Sequence, residues 1–97
     1  MKIVKLSHPN YEYDVHSLVK AFYAEEQVTV ITPETKPEKL AELEPQVSLE
    51  IELGDTGAKI RVGEETFLWD AETENLADGY KNGLKRFLYR TLSKVTG

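Results

Sequence analysis

Two histidines and two carboxylates near the N-terminus have side chains that could coordinate a metal ion. A zinc site needs three or four ligands of histidine, cysteine or carboxylate type. The four candidates in this segment are His8, Glu12, Asp14 and His16. Asp14, however, directly precedes a helical pattern, where aspartate is a preferred N-cap. We therefore expect Asp14 to cap the helix, and we expect no metal site in this chain.

A second group of candidates is the set of basic residues near the C-terminus. The formal net charge is −10 over residues 1–79 and +5 over residues 80–97, so an anionic partner would have to approach the last 18 residues. On a helical projection the cations spread over a broad polar arc, while Tyr80 and Phe87 fall on the apolar side. This arrangement argues against a nucleic-acid partner, which would need aromatic rings beside the cations. The candidate anion or domain contacts are Lys85, Arg86, Arg90 and Lys94.

Gly79 and Gly83 lie four residues apart within the same helical pattern. A glycine costs about 1 kcal/mol relative to alanine in an exposed helix, so two of them call for an explanation. The pattern places both on one flank, off the apolar stripe, where another backbone could approach closely. Fraying of the first helical turns is the alternative account. We add Gly79 and Gly83 to the candidate domain contacts.

The absence of cysteine excludes several kinds of chemistry from these 97 residues. It rules out a disulfide framework, a thiolate nucleophile and an iron–sulfur cluster held by this chain. The serines lack the sequence context of a nucleophile elbow, and no glycine-rich phosphate-binding spacing occurs. We therefore predict no catalytic, metal-binding or cofactor-binding residue in the chain.

The elements that must position these residues are predicted from hydrophobic periodicity. Alternating or β-branched segments predict five strands, at 2–6, 27–32, 47–53, 58–62 and 66–69. Apolar spacings of three and four predict one helix after Asp14 and a second, longer helix that runs from about Leu76 to Val95. Residues 33–45 hold three of the four prolines, so we predict a loop there, or a loop with one helical turn around 39–43.

The element order β-α-β-β-β-β-α predicts an α+β two-layer domain. We expect a mainly antiparallel sheet of four to five strands with two helices on one face. In its central hairpin, Glu50 and Glu52 should lie across from Lys59 and Arg61. The length of 97 residues allows a single domain, 1–97. No apolar run reaches the length of a membrane span and no secretory leader is evident, so we expect a cytoplasmic protein without a membrane partner.

Two stretches of the chain carry a resemblance to a known family. They are NYEYDVHSLVKAFYAEEQVTV at residues 10–30 and LKRFLYRTLSKVTG at residues 84–97. Both resemble the N-terminal region of oxygen-independent coproporphyrinogen III oxidases, or coproporphyrinogen dehydrogenases, of the HemZ type. In that family the second stretch leads into a radical S-adenosylmethionine barrel, whose CxxxCxxC motif holds a [4Fe–4S] cluster and which acts in haem and porphyrin biosynthesis.

The resemblance implies that this chain is a non-catalytic N-terminal accessory domain, a fragment of a longer oxidoreductase. Its implied partner is the C-terminal radical S-adenosylmethionine barrel of the same chain, and the implied cofactors, the cluster and S-adenosylmethionine, belong to that barrel. The chain departs from the family pattern in having no cysteine, so no catalytic residue is carried over. The alternative hypothesis is a free-standing small RNA- or anion-binding module that uses the basic C-terminal helix.

Overall fold

A computed structural model describes residues 1–70 and 79–97. The described elements follow the predicted order, with one additional helix between the second and third strands. The predicted helical position Leu76 lies outside the described residues, as do the acidic residues next to it in sequence. The elements are β1 (Lys2–Leu6), α1 (Glu12–Phe22), β2 (Val28–Ile31), α2 (Pro37–Leu43) with a 3₁₀ turn (Glu44–Gln46), β3 (Val47–Leu53), β4 (Gly57–Val62), β5 (Glu65–Asp70) and α3 (Gly79–Thr96).

The five strands form one sheet in the order β2-β1-β3-β4-β5. The α+β class is confirmed, but the sheet is mixed rather than mainly antiparallel. β1 is parallel to both β2 and β3, whereas β4 is antiparallel to β3 and β5. The physical reason is that a helix lies in each of the connections β1–β2 and β2–β3. A helical connection carries the chain back along the sheet, so the strands that it joins run in the same direction.

The helix α2 corrects the prediction of a loop with one helical turn. It begins at Pro37, in the first turn, where the missing N–H of proline removes no helical hydrogen bond. Leu40 and Leu43 lie three residues apart and pack against Ile3, Ile31 and Val47. This small apolar cluster lies on one face of the sheet, at its β2–β1 end.

The main core lies on the opposite face, which both α1 and α3 cover, so the prediction of two helices on one face is confirmed. Adjacent residues of β1 face opposite sides of the sheet. Ile3 packs beneath α2, while Val4 and Leu6 belong to the main core. The buried residues that the helices contribute are Val15 and Val19 of α1 and Leu84, Phe87, Leu88 and Leu92 of α3.

The strand β3 changes face through an irregularity near its start. Ile3 pairs with Val47, but the next residue, Val4, pairs with Leu49. One extra residue, Ser48, therefore lies between the two pairings, as in a β-bulge, and its hydroxyl donates to the Ile3 carbonyl at 3.3 Å. As a result Val47 packs beneath α2 while Leu49 enters the main core. The strict alternation predicted for 47–53 holds only from Leu49 onward.

The other face of the central hairpin is charged, as predicted. Glu50 pairs in register with Arg61, and Glu52 pairs with Lys59. Both pairs form salt bridges, with Lys59 Nζ 3.3 Å from a Glu52 carboxylate oxygen. Such exposed pairs contribute only a few tenths of a kcal/mol, so they set the polarity of this face more than the stability of the fold.

An aromatic cluster joins the start of α3 to the sheet. The Tyr80 ring lies 5.2 Å from the Trp69 ring and 5.9 Å from the Tyr11 ring, measured between centroids. The Tyr80 hydroxyl donates to the Gly57 carbonyl at 2.8 Å. Burial raises the pKa of Tyr80 above its usual value, and Tyr11 and Asp55 raise it further.

The variant Tyr80→Phe should unfold with a free energy lower by about 1 kcal/mol at pH 7, because it loses the hydrogen bond to Gly57. The raised pKa means that the folded state favours the neutral phenol. The stabilisation that the phenol gives is therefore present below pH 10 and is lost as the pH rises above 10. The difference in unfolding free energy between wild type and variant should therefore narrow above pH 10. Urea unfolding at pH 7 and pH 10.5, followed by circular dichroism, measures both values. Tyr13→Phe is the control, since Tyr13 is 81% exposed and should change little.

The variant Gly57→Ala should destabilise the fold by about 1–3 kcal/mol, the usual cost of overpacking. A Cβ at Gly57 would overlap the backbone carbonyl of Trp69 in β5, which cannot move without disturbing the β4–β5 pairing. Gly54→Ala is the matched control in the same hairpin, because its Cβ would make an ordinary contact 3.5 Å from the Gly57 oxygen. Equal stabilities of the two variants in urea unfolding would contradict this packing.

Candidate functional site

The helix α3 presents the predicted basic residues on its exposed side. Its buried side is formed by apolar residues spaced three and four apart, which seat the helix on the sheet and on α1. Because this side is fixed in the core, the remaining side of the helix must face outward. The basic residues on that exposed side are Lys81, Lys85, Arg86, Arg90 and Lys94.

Lys81 and Lys85 point toward α1 and meet Asp14. Their Nζ atoms lie 3.6 and 3.9 Å from the two carboxylate oxygens of Asp14, whose side chain is only 22% exposed. This contact corrects the prediction that Asp14 caps α1. The helix begins at Glu12, and the residue at the N-cap position is Tyr11, with φ 66° and no side-chain cap hydrogen bond. Asp14 therefore lies inside the first turn and joins α1 to α3.

The other three cations form a separate row, which we call the basic strip: Arg86, Arg90 and Lys94. They lie four residues apart, so they project from one side of the helix. All three are exposed. Tyr89, an aromatic residue on the same helix, is 57% exposed, and its ring lies edge-on to that of Phe22 of α1, with 5.2 Å between the ring centroids. The cations that the sequence placed on one broad arc thus form two groups. Lys81 and Lys85 hold α1, and the basic strip faces outward.

The structure does not place Gly79 and Gly83 on a shared exposed flank. Gly83 is buried within this domain, so its surface is not available to another domain. Gly79 is exposed and is the first residue of α3, with φ 89°, a conformation that glycine adopts without strain. The two glycines therefore have different local roles, a buried helix position and a helix start.

The two histidines both make hydrogen bonds to the backbone. His8 Nδ1 accepts from the Asn10 amide at 3.2 Å, and His16 Nε2 lies 3.0 Å from the Val28 carbonyl, to which it donates as the Nε2–H tautomer. Within residues 1–70 and 79–97, no group of three or more His, Asp or Glu side chains is arranged to hold a metal ion. Across the same residues, no helix is long and apolar enough to cross a membrane.

Two surface hollows were not predicted from the sequence. One, of about 490 Å³, lies over the charged face of β3 and β4 and is lined by the salt-bridged residues described above, together with Lys5 and Thr66. The other, of about 810 Å³, runs between the N-terminal half of α1 and the edge strand β2. Its walls come from two elements distant in sequence, so no local pattern could indicate it. Tyr13, one of its lining residues, is 81% exposed.

The stretches at residues 10–30 and 84–97 are packed together. The first includes α1 and most of β2, and the second forms most of α3. Contacts between α1 and α3 extend from Asp14 with Lys81 and Lys85 at one end to Phe22 with Tyr89 at the other. No protein-family model matches the chain, and a search of curated protein sequences found no match.

The variant Asp14→Asn should lower the free energy of unfolding by about 0.5–1 kcal/mol at low salt, because it removes a half-buried partner of two lysines. The difference from wild type should shrink in 1 M NaCl, where ion pairs are screened. Glu12→Gln is the matched control: Glu12 lies in the same first turn but forms no ion pair within the described residues. Urea unfolding at the two salt concentrations gives the comparison, and equal salt effects in both variants would contradict a specific Asp14 contact.

Proposed function

We propose that this chain is the non-catalytic N-terminal accessory domain of a radical S-adenosylmethionine protein similar to oxygen-independent coproporphyrinogen III oxidase. In this proposal the domain docks on the C-terminal barrel of the same protein. The barrel carries the chemistry of haem and porphyrin biosynthesis, and the domain stabilises the barrel or shapes access to its substrate.

The observation that carries the proposal is the packing of the two resembling stretches against each other. They are separated by 53 intervening residues in the sequence, yet they supply both helices that cover the main face of the sheet. A resemblance confined to one amphipathic helix would reflect a common pattern of spacing. Here the resembling residues supply α1 and most of α3, two helices that pack against each other and offer one surface for docking.

The cofactors of the family do not fit this chain itself. A [4Fe–4S] cluster is normally held by cysteine thiolates, and the chain contains no cysteine. The cluster and the S-adenosylmethionine bound to it therefore belong to the barrel in this proposal. The contribution of this domain is a surface, for which the basic strip is the candidate.

The basic strip has the properties of a docking contact for an acidic surface. Arg86, Arg90 and Lys94 are exposed on a helix that is fixed by its buried side, so the three side chains keep a defined spacing. Charged residues of this kind steer association and set its orientation. The alternative, an RNA- or anion-binding module, would use the same strip. The pairing of Lys81 and Lys85 with Asp14 reduces the positive charge available to that alternative.

The first test is to read the source reading frame beyond the codon for Gly97. An open frame that reaches a CxxxCxxC motif is the expected result, and a stop codon directly after Gly97 would contradict the proposal. This test does not show which surface of the domain is used, so a second experiment must address docking.

The docking experiment compares two charge reversals in the isolated domain. Arg90→Glu with Lys94→Glu should weaken binding to the barrel about tenfold or more, a loss of about 1.4 kcal/mol, because it places negative charge against the acidic surface. Lys36→Glu with Lys39→Glu is the matched control at the start of α2, where both side chains are exposed, and it should leave binding within about twofold.

Isothermal titration calorimetry of each variant into a barrel-only protein of this family, at 50 and 200 mM salt, gives both affinities. No binding by the wild-type domain would refute docking. If the wild-type domain instead binds a short RNA, with a salt dependence that the strip variant loses, the alternative function replaces the proposal.

A further inference from the structure

The hollow between α1 and β2, which we call the β2 groove, has the geometry of a site for an extended peptide. One wall is the N-terminal half of a helix, and the other is the free edge of the sheet. Its volume is about 810 Å³. The residues that line it are Pro9, Asn10, Tyr11, Glu12, Tyr13, Asp14, His16, Val28, Thr29 and Val30.

The register of β1 and β2 shows which backbone groups of β2 face the groove. Val28 pairs with Lys2 and Val30 with Val4 in a parallel arrangement, and the Lys2 amide donates to the Gln27 carbonyl at 2.8 Å. In a parallel pair of strands, alternate residues bond inward. Thr29 therefore bonds to β1, whereas the N–H and C=O groups of Val28 and Val30 point outward.

The contact of His16 supports this assignment. Its Nε2 lies 3.0 Å from the Val28 carbonyl, which shows that this carbonyl points away from β1 and toward α1. The amide of Val28 and both backbone groups of Val30 have no strand partner among the described residues. The strand β2 is short, with four residues, and its sequence VTVI contains no lysine or proline, which often protect edge strands.

We propose that the β2 groove binds an extended segment of another protein, which adds to β2 as a sixth strand and carries a basic side chain. Main-chain hydrogen bonds to the Val28 amide and to the amide and carbonyl of Val30 would hold the segment, and the exposed ring of Tyr13 would cover it. The acidic side chains that line the groove are Glu12 and Asp14. Asp14 is already paired with Lys81 and Lys85, so Glu12 is the lining carboxylate without an ion pair among the described residues. A lysine or arginine in the segment would complement the exposed Glu12.

The same charges argue against a second copy of this chain as the occupant. A second β2 strand would bring its own flanking residues into the groove. Those residues include Glu25 and Glu26 before the strand and Glu34 after it. Carboxylates would then lie close to Glu12, and like charges at an interface oppose association. This inference does not depend on the proposed function, because it uses neither the basic strip nor a barrel.

The probe for the test is the synthetic peptide acetyl-Lys-Thr-Val-Thr-Val-Lys-amide, titrated into ¹⁵N-labelled protein. Binding should shift the amide resonances of Val28, Thr29 and Val30 and should slow hydrogen exchange at Val28 and Val30. The peptide acetyl-Glu-Thr-Val-Thr-Val-Glu-amide has the same strand-forming residues with opposite charge, and it should bind at least about fivefold more weakly. Equal binding of the two peptides would overturn the charge assignment.

Two variants distinguish the contribution of the Val30 backbone N–H to peptide binding from that of the Val30 side chain. Val30→Pro removes an N–H that β1 does not use, and proline is tolerated on a strand edge, so the fold should persist while peptide binding falls at least about tenfold. Val30→Ala keeps the N–H and should bind within about threefold of wild type. If Val30→Pro does not fold, a peptide N-methylated along one edge replaces it as the test and should lose binding in the same way.

Three results would overturn the proposal. The first is the absence of resonance shifts in β2 at millimolar peptide. The second is retention of binding by folded Val30→Pro or by the N-methylated peptide. The third is self-association of the wild-type chain through β2, detected by analytical ultracentrifugation, which would make a second copy the occupant.

Discussion

The strand β1 is the element on which the rest of the structure depends, because it is paired along both edges and buried on both faces. Ile3 packs beneath α2, and Val4 and Leu6 pack beneath α1 and α3. A strand covered on both faces requires a helix on each side of the sheet. The chain supplies these helices in the two connections that follow β1, and each connection sets a parallel pairing.

This constraint also determines what is left exposed. Because β2 and β3 occupy the two edges of β1, β2 becomes the last strand at one end of the sheet, with its outer groups facing α1. At the other side of the molecule, one face of the antiparallel hairpin of β3 and β4 is covered by no helix that the structure describes. Glu50 with Arg61 and Glu52 with Lys59 line that face as neutralising pairs, which keep it polar without a large net charge. The β2 groove and the charged face are thus consequences of one topology.

The helix α3 serves the fold and the candidate surface at once. Its apolar side closes the main core, and Lys81 and Lys85 tie it to α1 through Asp14. The outward side keeps Arg86, Arg90 and Lys94 at regular spacing, which is what a docking contact requires. The favourable interaction of late-helix cations with the helix dipole accounts for part of this charge placement, since Lys94 lies in the last turn. The function proposed for the strip therefore rests on its exposure and on its position along a helix that is fixed in the core.

The sequence by itself determined the positions of nearly all the elements, since local periodicity reports which residues share a face. It located β1 at residues 2–6 and the pairing of Glu50 and Glu52 with Arg61 and Lys59, because a short hairpin leaves few alternatives. Of the short helix α2 the sequence indicated at most one turn, around 39–43, because proline-rich, highly charged residues obscured its apolar pair, Leu40 and Leu43. Only the tertiary structure decided the strand order, the face of Val47 and the burial of Gly83. Only it could show that Asp14 binds Lys81 and Lys85, and that Val28 and Val30 line an open edge. These features depend on contacts between residues far apart in the chain, about which a local pattern carries no information.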